Sequence, residues 1–263
     1  MPTAKVGDIN IYYEVHGEGE PLVLIVGYGG NSRALFLNIP AFSKKHRVVV
    51  FDNRGTGLTD KPDIHYTIEM MADDTTGLLD SIGIDVAHIL GISMGGFIAQ
   101  NIALRYPDRV ISLVLACTHC GGTQHIAPDP EVEALLSDFK RAREILSYVV
   151  SQQFIDNNPD IVKQVIVKRT EYPTPLHGYT RQREAIAGHN TYDRLPEIKA
   201  PTLVIAGDAD KLVPVANSRI LADRIPDAEL VLLENMGHGF SIEAADEFHK
   251  TVIDFLKRHP RSS

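Results

Sequence analysis

One five-residue segment, Gly91-Ile-Ser-Met-Gly95, limits the possible folds of this chain more than any other. A short apolar run ends at Leu90 before it, and apolar or small residues recur at helical spacing after it until Tyr106-Pro107. The segment therefore predicts a very tight turn between a buried strand and a helix. Glycine is needed on both sides, because a side chain there would collide with the neighbouring strand and helix. Such a turn raises the Ser93 hydroxyl above the sheet edge and points the first N–H groups of the helix toward it.

The same five-residue pattern also occurs by chance in loops, so the rest of the chain serves as its test. Apolar runs and helical patterns alternate along most of the sequence, after a hairpin at the N-terminus. This alternation predicts an α/β fold: a mostly parallel eight-stranded sheet with helices on both faces. The predicted strands are Thr3–Val6, Ile9–His16, Leu22–Val26, Val48–Phe51, Val86–Leu90, Val110–Ala116, Thr202–Ala206 and Leu230–Leu233.

The alternation is interrupted between about residues 121 and 195, where no buried-strand pattern occurs. We therefore expect a core domain made of residues 1–120 and 196–263, and a helical cap insertion of residues 121–195 over the carboxyl edge of the sheet. Within the insertion, helical patterns occupy Glu131–Val150, Asp160–Thr170 and Tyr179–Ala187.

Composition excludes several classes of partner. The chain is 44% hydrophobic and 23% charged, which is ordinary for a soluble globular protein. Its net charge is −8 without a long run of one sign, which argues against nucleic acid or an anionic membrane as the main partner. No apolar stretch is long enough to span a bilayer, and the N-terminus has no signal-sequence pattern. We expect a cytoplasmic protein, either a monomer or a homodimer.

The two cysteines, Cys117 and Cys120, form a C-x-x-C pair, which can be a redox pair or half of a zinc site. The chain has no second such pair, although His119 and His125 lie nearby. We therefore interpret Cys117 as a small hydrophobic residue that ends a buried strand, and the nearby histidines as ordinary packing or surface residues.

The loop after the third predicted strand imitates part of a dinucleotide-binding fingerprint. Gly27 and Gly29 follow a buried strand, and Asp52 ends the next one. However, Ser32 stands where the third glycine of G-x-G-x-x-G would be. We expect neither a nucleotide, nor a metal, nor another cofactor.

A serine hydroxyl is a useful nucleophile at neutral pH only beside a base, and the base needs an orienting carboxylate. On an open parallel sheet, these groups lie in loops at the carboxyl ends of strands. One such loop carries Asp208 and Asp210, and the next carries His238 between two glycines. The order Ser93, then an aspartate, then His238 is the order that accompanies an elbow serine. The order alone leaves both carboxylates open.

Taken together, these segments make the chain similar to proteins of the α/β-hydrolase fold over essentially its whole length. The resemblance implies that Asp210, three residues after a glycine, is the acid rather than Asp208. It also implies an oxyanion hole formed by the backbone N–H groups of Tyr28 and Met94. The chain departs from many relatives at Val26, where they have a histidine that is usually structural. The matching segments are Gly27–Gly30, Asp52–Gly57, Gly91–Gly96, Gly207–Pro214 and Gly237-His238.

The chain most resembles the carboxylesterase and 3-oxoadipate enol-lactonase branch of that superfamily. This implies a carboxylic-ester hydrolase that cleaves a small ester or lactone through an acyl-enzyme on Ser93, with His238 as base and Asp210 as acid. The resemblance implies no metal or organic cofactor. Two alternatives share the triad: a carbon–carbon bond hydrolase acting on meta-cleavage products, and a cofactor-free perhydrolase. A third, of another class, is a signalling receptor that keeps the triad but turns over slowly.

Overall fold

The computed structural model describes residues 2–137 and 144–261. The strands are β1 (Thr3–Val6), β2 (Ile9–His16), β3 (Glu20–Ile25), β4 (His46–Phe51), β5 (Ala87–Ile92), β6 (Val110–Ala116), β7 (Thr202–Gly207) and β8 (Glu229–Leu233). They form one eight-stranded sheet in the order β1-β2-β4-β3-β5-β6-β7-β8. The β2 strand is antiparallel to β1 and β4, and every later pair is parallel. The predicted mostly parallel sheet is confirmed.

Helices cover both faces of the sheet. They are α1 (Asn38–Phe42), α2 (Ile68–Ser81), α3 (Met94–Arg105), α4 (Pro130–Ser137), α5 (Leu146–Val149), α6 (Gln152–Asn157), α7 (Pro159–Thr170), α8 (Leu176–Gly188), α9 (Ala216–Arg224), α10 (Phe240–Glu243) and α11 (Ala245–Arg258). Because successive strand side chains point to opposite faces, β3 sends Val23 into the core under α2, α3 and α9, and Leu22 and Leu24 into the core under α1 and α11. No helix in the described ranges is long and apolar enough to cross a membrane.

The segment between β6 and β7 is a helical insertion, which confirms the expected interruption of the sheet. The predicted helix over residues 131–150 is not continuous, since Glu144 and Ile145 form a turn between α4 and α5, and α5 covers only Leu146–Val149. The middle of that prediction, residues 138–143, lies outside the described residues. The helices α7 and α8 match the other two predicted helical stretches within a few residues.

One buried side chain, Gln182 of α8, ties the insertion to two loops of the sheet. Its Oε1 accepts a hydrogen bond from the Gly29 N–H (2.9 Å), and its Nε2 donates one to the Arg54 carbonyl (2.9 Å). The helix also approaches closely, because a Cβ on Gly178 would lie 2.3 Å from the Gly55 carbonyl oxygen. The insertion is therefore anchored above the carboxyl ends of β3 and β4.

Candidate active site

The turn between β5 and α3 is as tight as its glycines predict. Ser93 has φ +56° and ψ −121°, a conformation that a non-glycine residue adopts at a cost of about 1–3 kcal/mol. A Cβ on Gly91 would lie 2.2 Å from the Gly95 carbonyl oxygen, and a Cβ on Gly95 would lie 2.1 Å from that of Ile25. The Ser93 N–H donates to the Ala116 carbonyl oxygen (2.9 Å), which holds the turn against β6. The serine is thus placed between two elements that only glycine allows to come this close.

A histidine–carboxylate pair lies on the loops after β7 and β8. His238 Nδ1 donates a hydrogen bond to Asp210 Oδ2 at 2.8 Å. The other carboxylate oxygen accepts from the N–H groups of Leu212 (2.8 Å) and Val213 (2.9 Å), so the buried Asp210 is held in one orientation. Asp208 is exposed instead, and its Oδ1 accepts from a backbone N–H in the loop after β8. Of the two carboxylates that the chain order left open, only Asp210 contacts the imidazole.

The charge around His238 favours its protonated form. Burial lowers the pKa of this imidazole, but the neighbouring Cys117 sulfur and the Asp210 carboxylate outweigh that effect, and the pKa lies well above its usual value. Cys117 follows β6 and is buried as predicted, but its sulfur also interacts with the His238 imidazole, so it is more than a small hydrophobic residue that ends a strand; both it and Cys120 are free thiols. Because a carboxylate only accepts, His238 Nδ1 carries a hydrogen, and its Nε2 is the atom left to exchange a proton with a reactant.

Four of the predicted site residues line one cavity of about 220 Å³ at the carboxyl edge of the sheet: Tyr28, Ser93, Met94 and His238. Asp210 lies behind His238, outside the lining. In the described part of the chain, no hydrogen bond joins Ser93 Oγ to His238; such contacts commonly tighten only when a substrate is bound. The remaining lining residues are Phe97, His119, His125, Ile126, Pro128, Glu133, Leu136, Arg183, Ile186, Leu212 and Val213.

Two backbone N–H groups at this cavity are free to bind an anion. Neither the Tyr28 nor the Met94 N–H has an acceptor among the described residues. Met94 is the first residue of α3, so its N–H also lies at the positive end of the helix dipole. A Cβ on Gly27 would lie only 3.0 Å from the Cβ of Ser93, so the Tyr28 loop passes directly beside the serine. This arrangement can stabilise negative charge that develops next to Ser93 Oγ.

The loop that carries His238 is packed beneath the insertion. The Gly239 N–H donates to the Val149 carbonyl oxygen of α5 (2.7 Å), and a Cβ on Gly239 would lie 2.7 Å from the Val149 Cγ1 atom. The glycine after His238 is therefore required by this close approach. The insertion therefore contacts the His238 loop through α5, and α8 contributes Arg183 and Ile186 to the wall of the cavity.

His119 and His125, interpreted from the sequence as ordinary packing or surface residues, both line this cavity. His119 lies within the C-x-x-C segment and His125 follows it, but that motif does not predict a place beside Ser93, and only the path of the chain after β6 brings them there. The described residues contain no group of three or more His, Cys, Asp or Glu side chains arranged to hold a metal ion. Two larger cavities, of about 450 and 730 Å³, lie at the amino ends of β6, β7 and β8, away from these side chains.

Comparisons with known proteins identify the family to which this fold belongs. Residues 20–245 match the family model described as alpha/beta hydrolase fold. The chain is 30% identical to the enol-lactonase from Burkholderia xenovorans LB400, covering 97% of this chain and 100% of that one, with a TM-score of 0.87. It is 32% identical to the 2-hydroxy-6-oxo-6-phenylhexa-2,4-dienoate hydrolase of Comamonas testosteroni, over 96% of this chain and 93% of that protein. It is 29% identical to the "Putative carbamate hydrolase RutD" of Azorhizobium caulinodans, over 97% and 98%.

Proposed function

Because this chain belongs to the alpha/beta hydrolase fold family, we propose that it is a serine hydrolase that cleaves a small carboxylic ester or lactone. One observation carries the proposal: Ser93, held at φ +56°, lines the same cavity as a His238 that is bound to the buried Asp210. Nucleophile, base and orienting carboxylate therefore stand in the order and on the loops that acyl transfer needs.

In the first half of this reaction, Ser93 Oγ attacks the carbonyl carbon of the substrate. His238 Nε2 takes the hydroxyl proton, and the Asp210 carboxylate stabilises the resulting imidazolium. The carbonyl oxygen becomes an anion and accepts hydrogen bonds from the Tyr28 and Met94 N–H groups. One such donor lowers the barrier by about 3–4 kcal/mol. His238 then gives its proton to the leaving alkoxide, which leaves an acyl group on Ser93.

In the second half, the neutral His238 activates a water molecule that attacks the acyl-enzyme. The same two N–H groups hold the second tetrahedral anion, and collapse of this anion releases the carboxylic acid and restores the Ser93 hydroxyl. All the proton transfers pass through one imidazole, which Asp210 holds in one orientation.

The cavity supports a small substrate with an apolar body. Its volume of about 220 Å³ is below the usual range of about 300–1,000 Å³ for ligand pockets. Much of its wall is apolar, with side chains from α3, from the insertion and from the Asp210 loop. In this proposal, residues 121–195 form the cap over a core of residues 1–120 and 196–263, and the likeness to an enol-lactonase favours a lactone or ester carbonyl.

The test compares Ser93→Ala with Ser81→Ala, an exposed serine at the end of α2. We expect Ser93→Ala to lose hydrolysis of p-nitrophenyl butyrate to below about 0.1% of wild type, because a triad nucleophile contributes several orders of magnitude. Ser81→Ala should keep wild-type activity. A fluorophosphonate probe should label the peptide that contains Ser93. Labelling of another peptide, or activity in Ser93→Ala above about one per cent, would contradict the assignment.

A substrate panel separates the other reaction classes that share this fold. It contains esters of increasing acyl length, γ-butyrolactones, a meta-cleavage dienoate and a simple carbamate. A higher kcat/KM on the dienoate would instead assign carbon–carbon bond hydrolysis, and one on the carbamate would assign carbamate hydrolysis. A single turnover followed by a stable acyl-enzyme on every substrate would fit a receptor built on the same fold.

A further inference from the structure

The loop after β3, which carries the Tyr28 N–H, is folded into a tight turn. The Gly30 N–H donates to the Gly27 carbonyl oxygen (3.1 Å), and Gly29 has φ +62°. A positive φ at the third residue is what a type II turn requires. Because a trans peptide is planar, its N–H points away from its C=O, so fixing the Gly27 carbonyl also fixes the direction of the Tyr28 N–H. The conformation of this turn therefore aims the proposed oxyanion donor.

Both polar backbone groups of Gly29 are held by side chains of the insertion. The Gly29 N–H donates to Gln182 Oε1 (2.9 Å), and the Gly29 carbonyl oxygen accepts from Thr174 Oγ1 (3.1 Å). All three residues are buried, so water does not compete for either hydrogen bond. A rotation of the peptide between Tyr28 and Gly29, which would change the turn type, would break the hydrogen bond to Gln182. The insertion thus holds the turn in one conformation.

The backbone around Thr174 is stiff, so its hydroxyl is presented at a fixed position. Thr174 stands between Pro173 and Pro175, whose rings fix φ near −65°, and a residue before proline is restricted to extended conformations. Pro175 is also the N-cap residue of α8, the helix that carries Gln182. One continuous segment of the insertion therefore provides both side chains that hold Gly29.

Tyr179 of the same helix packs directly against the turn. A Cβ on Gly29 would lie 2.1 Å from Tyr179 Cε1, so only glycine allows this approach. The Tyr28 and Tyr179 rings meet edge to face with their centroids 5.4 Å apart, and the Tyr28 hydroxyl donates to the Tyr179 carbonyl oxygen (3.2 Å). A displacement of α8 would therefore displace the turn as well.

The other proposed oxyanion donor, the Met94 N–H, is placed by the core of the protein. The Ser93 carbonyl oxygen accepts from Thr118 Oγ1 (2.8 Å) and from the Gly96 N–H (2.8 Å). Since the peptide between Ser93 and Met94 is planar, these two hydrogen bonds fix the direction of the Met94 N–H. Thr118 follows β6 and Gly96 belongs to α3, so this donor is positioned by elements of the sheet and its first helical layer.

We propose that Thr174 and Gln182 are positioning residues for the oxyanion hole, so that the core places one donor and the insertion places the other. Neither side chain lines the cavity, and both act through Gly29 on the Tyr28 N–H. This inference rests on the proposed function, because an oxyanion forms only if Ser93 attacks a carbonyl. It makes the insertion a component of the catalytic machinery in addition to a wall of the cavity.

The experiment compares p-nitrophenyl butyrate with the matching thionoester, in which sulfur replaces the carbonyl oxygen. Sulfur accepts hydrogen bonds weakly, so the thionoester gains little from the two N–H groups, and we expect wild type to prefer the ester. The ratio of kcat/KM on the ester to that on the thionoester therefore measures the oxyanion hole. Because both rates come from one protein sample, this ratio does not depend on how much of a variant is folded.

Thr174→Val removes the hydroxyl while nearly keeping the side-chain shape. We expect kcat on the ester to fall about tenfold, a part of the 10²- to 10³-fold worth of one oxyanion donor, with KM within about twofold of wild type. The ester-to-thionoester ratio should fall by about the same factor, and Gln182→Leu should lower it likewise. Thr174→Ser keeps the hydroxyl and should keep the wild-type ratio. The matched control Thr180→Val changes an exposed threonine of α8 and should leave both rates unchanged.

The outcomes separate this inference from the function it rests on. A wild-type ratio in both Thr174→Val and Gln182→Leu overturns the inference, even if both rates fall, and leaves the hydrolase assignment intact. A ratio that falls as far in Thr174→Ser as in Thr174→Val also overturns it, since lost packing would then be the cause. If wild type hydrolyses the thionoester as fast as the ester, the two N–H groups are not an oxyanion hole and the inference fails. If wild type hydrolyses no ester or lactone, the proposed function itself fails.

Discussion

Replacing Asp210 with asparagine tests the acid assignment most sharply, because the chain provides its own control two residues away. In the folded protein Asp210 Oδ1 accepts two backbone hydrogen bonds, and Oδ2 accepts one from His238 Nδ1. In Asp210→Asn, the amide oxygen can keep the two backbone bonds, so the loop should stay folded. The NH2 group then faces His238 Nδ1, and two donors cannot pair.

The size of the effect follows from what happens to His238. To accept from the new NH2 group, its Nδ1 must lose the hydrogen, which moves to Nε2 and removes the base from Ser93. The imidazolium formed during the reaction also loses the negative charge beside it. In a serine protease triad the same change lowers kcat about 10⁴-fold, and a tenfold change corresponds to about 1.36 kcal/mol of barrier. We expect Asp210→Asn to lower kcat on p-nitrophenyl butyrate by about 10³- to 10⁴-fold, a barrier increase of about 4–5 kcal/mol.

The control is Asp208→Asn. Asp208 is exposed and accepts one hydrogen bond from the Asn235 N–H (2.7 Å), which an amide oxygen can also accept. Its kcat should therefore stay within about twofold of wild type. Both variants are assayed after thermal unfolding confirms that each is folded. A larger loss in Asp208→Asn than in Asp210→Asn, or less than a tenfold loss in Asp210→Asn, would refute the assignment.

Three other predictions follow from the same geometry. His238 must be neutral to act as a base, and its pKa is raised, so we expect kcat/KM to fall as the pH drops. The pH of half-maximal kcat/KM should lie above the ordinary histidine pKa of about 6.5. A midpoint below about pH 6 would contradict this prediction. Gly95→Ala places a Cβ 2.1 Å from a backbone oxygen and should destabilise the protein by at least about 1–3 kcal/mol. The control Gly188→Ala meets nothing within 4 Å and should leave Tm unchanged. Equal melting temperatures of the two variants would count against the tight turn at Ser93. Gln182→Ala leaves two buried backbone groups without hydrogen-bond partners, each of which costs about 1–3 kcal/mol of stability, so both Tm and kcat should fall. The control Gln152→Ala changes an exposed side chain and should alter neither. A Gln182→Ala enzyme as stable as wild type would show that the insertion is anchored elsewhere.

Much of the fold could be predicted because its signals are local. Buried strands between two helix layers must be apolar on both faces, so β5, β6 and β7 are continuous apolar runs in the sequence. The helical spacing of Phe248, Val252 and Phe255 likewise predicts the buried face of α11. The helices of the insertion were harder to predict from the sequence, because they pack on one another and on loops rather than on the sheet. The helix predicted over residues 131–150 is accordingly interrupted by a turn at Glu144 and Ile145.

The candidate site, too, has features that the sequence predicts and features that only the structure reveals. By itself, the sequence determined that Ser93 stands on a glycine-flanked turn and that an aspartate and His238 follow on later loops, since tight turns and chain order are properties of short segments. Chain order left Asp208 and Asp210 open, and the family resemblance favoured Asp210. The tertiary structure shows that Asp210 contacts His238 and that Asp208 does not, because residues two apart on a loop can point in opposite directions. Only the tertiary structure placed the helical insertion against the His238 loop and brought His119 and His125 beside Ser93. Such contacts join residues far apart in the chain, and no local pattern encodes them.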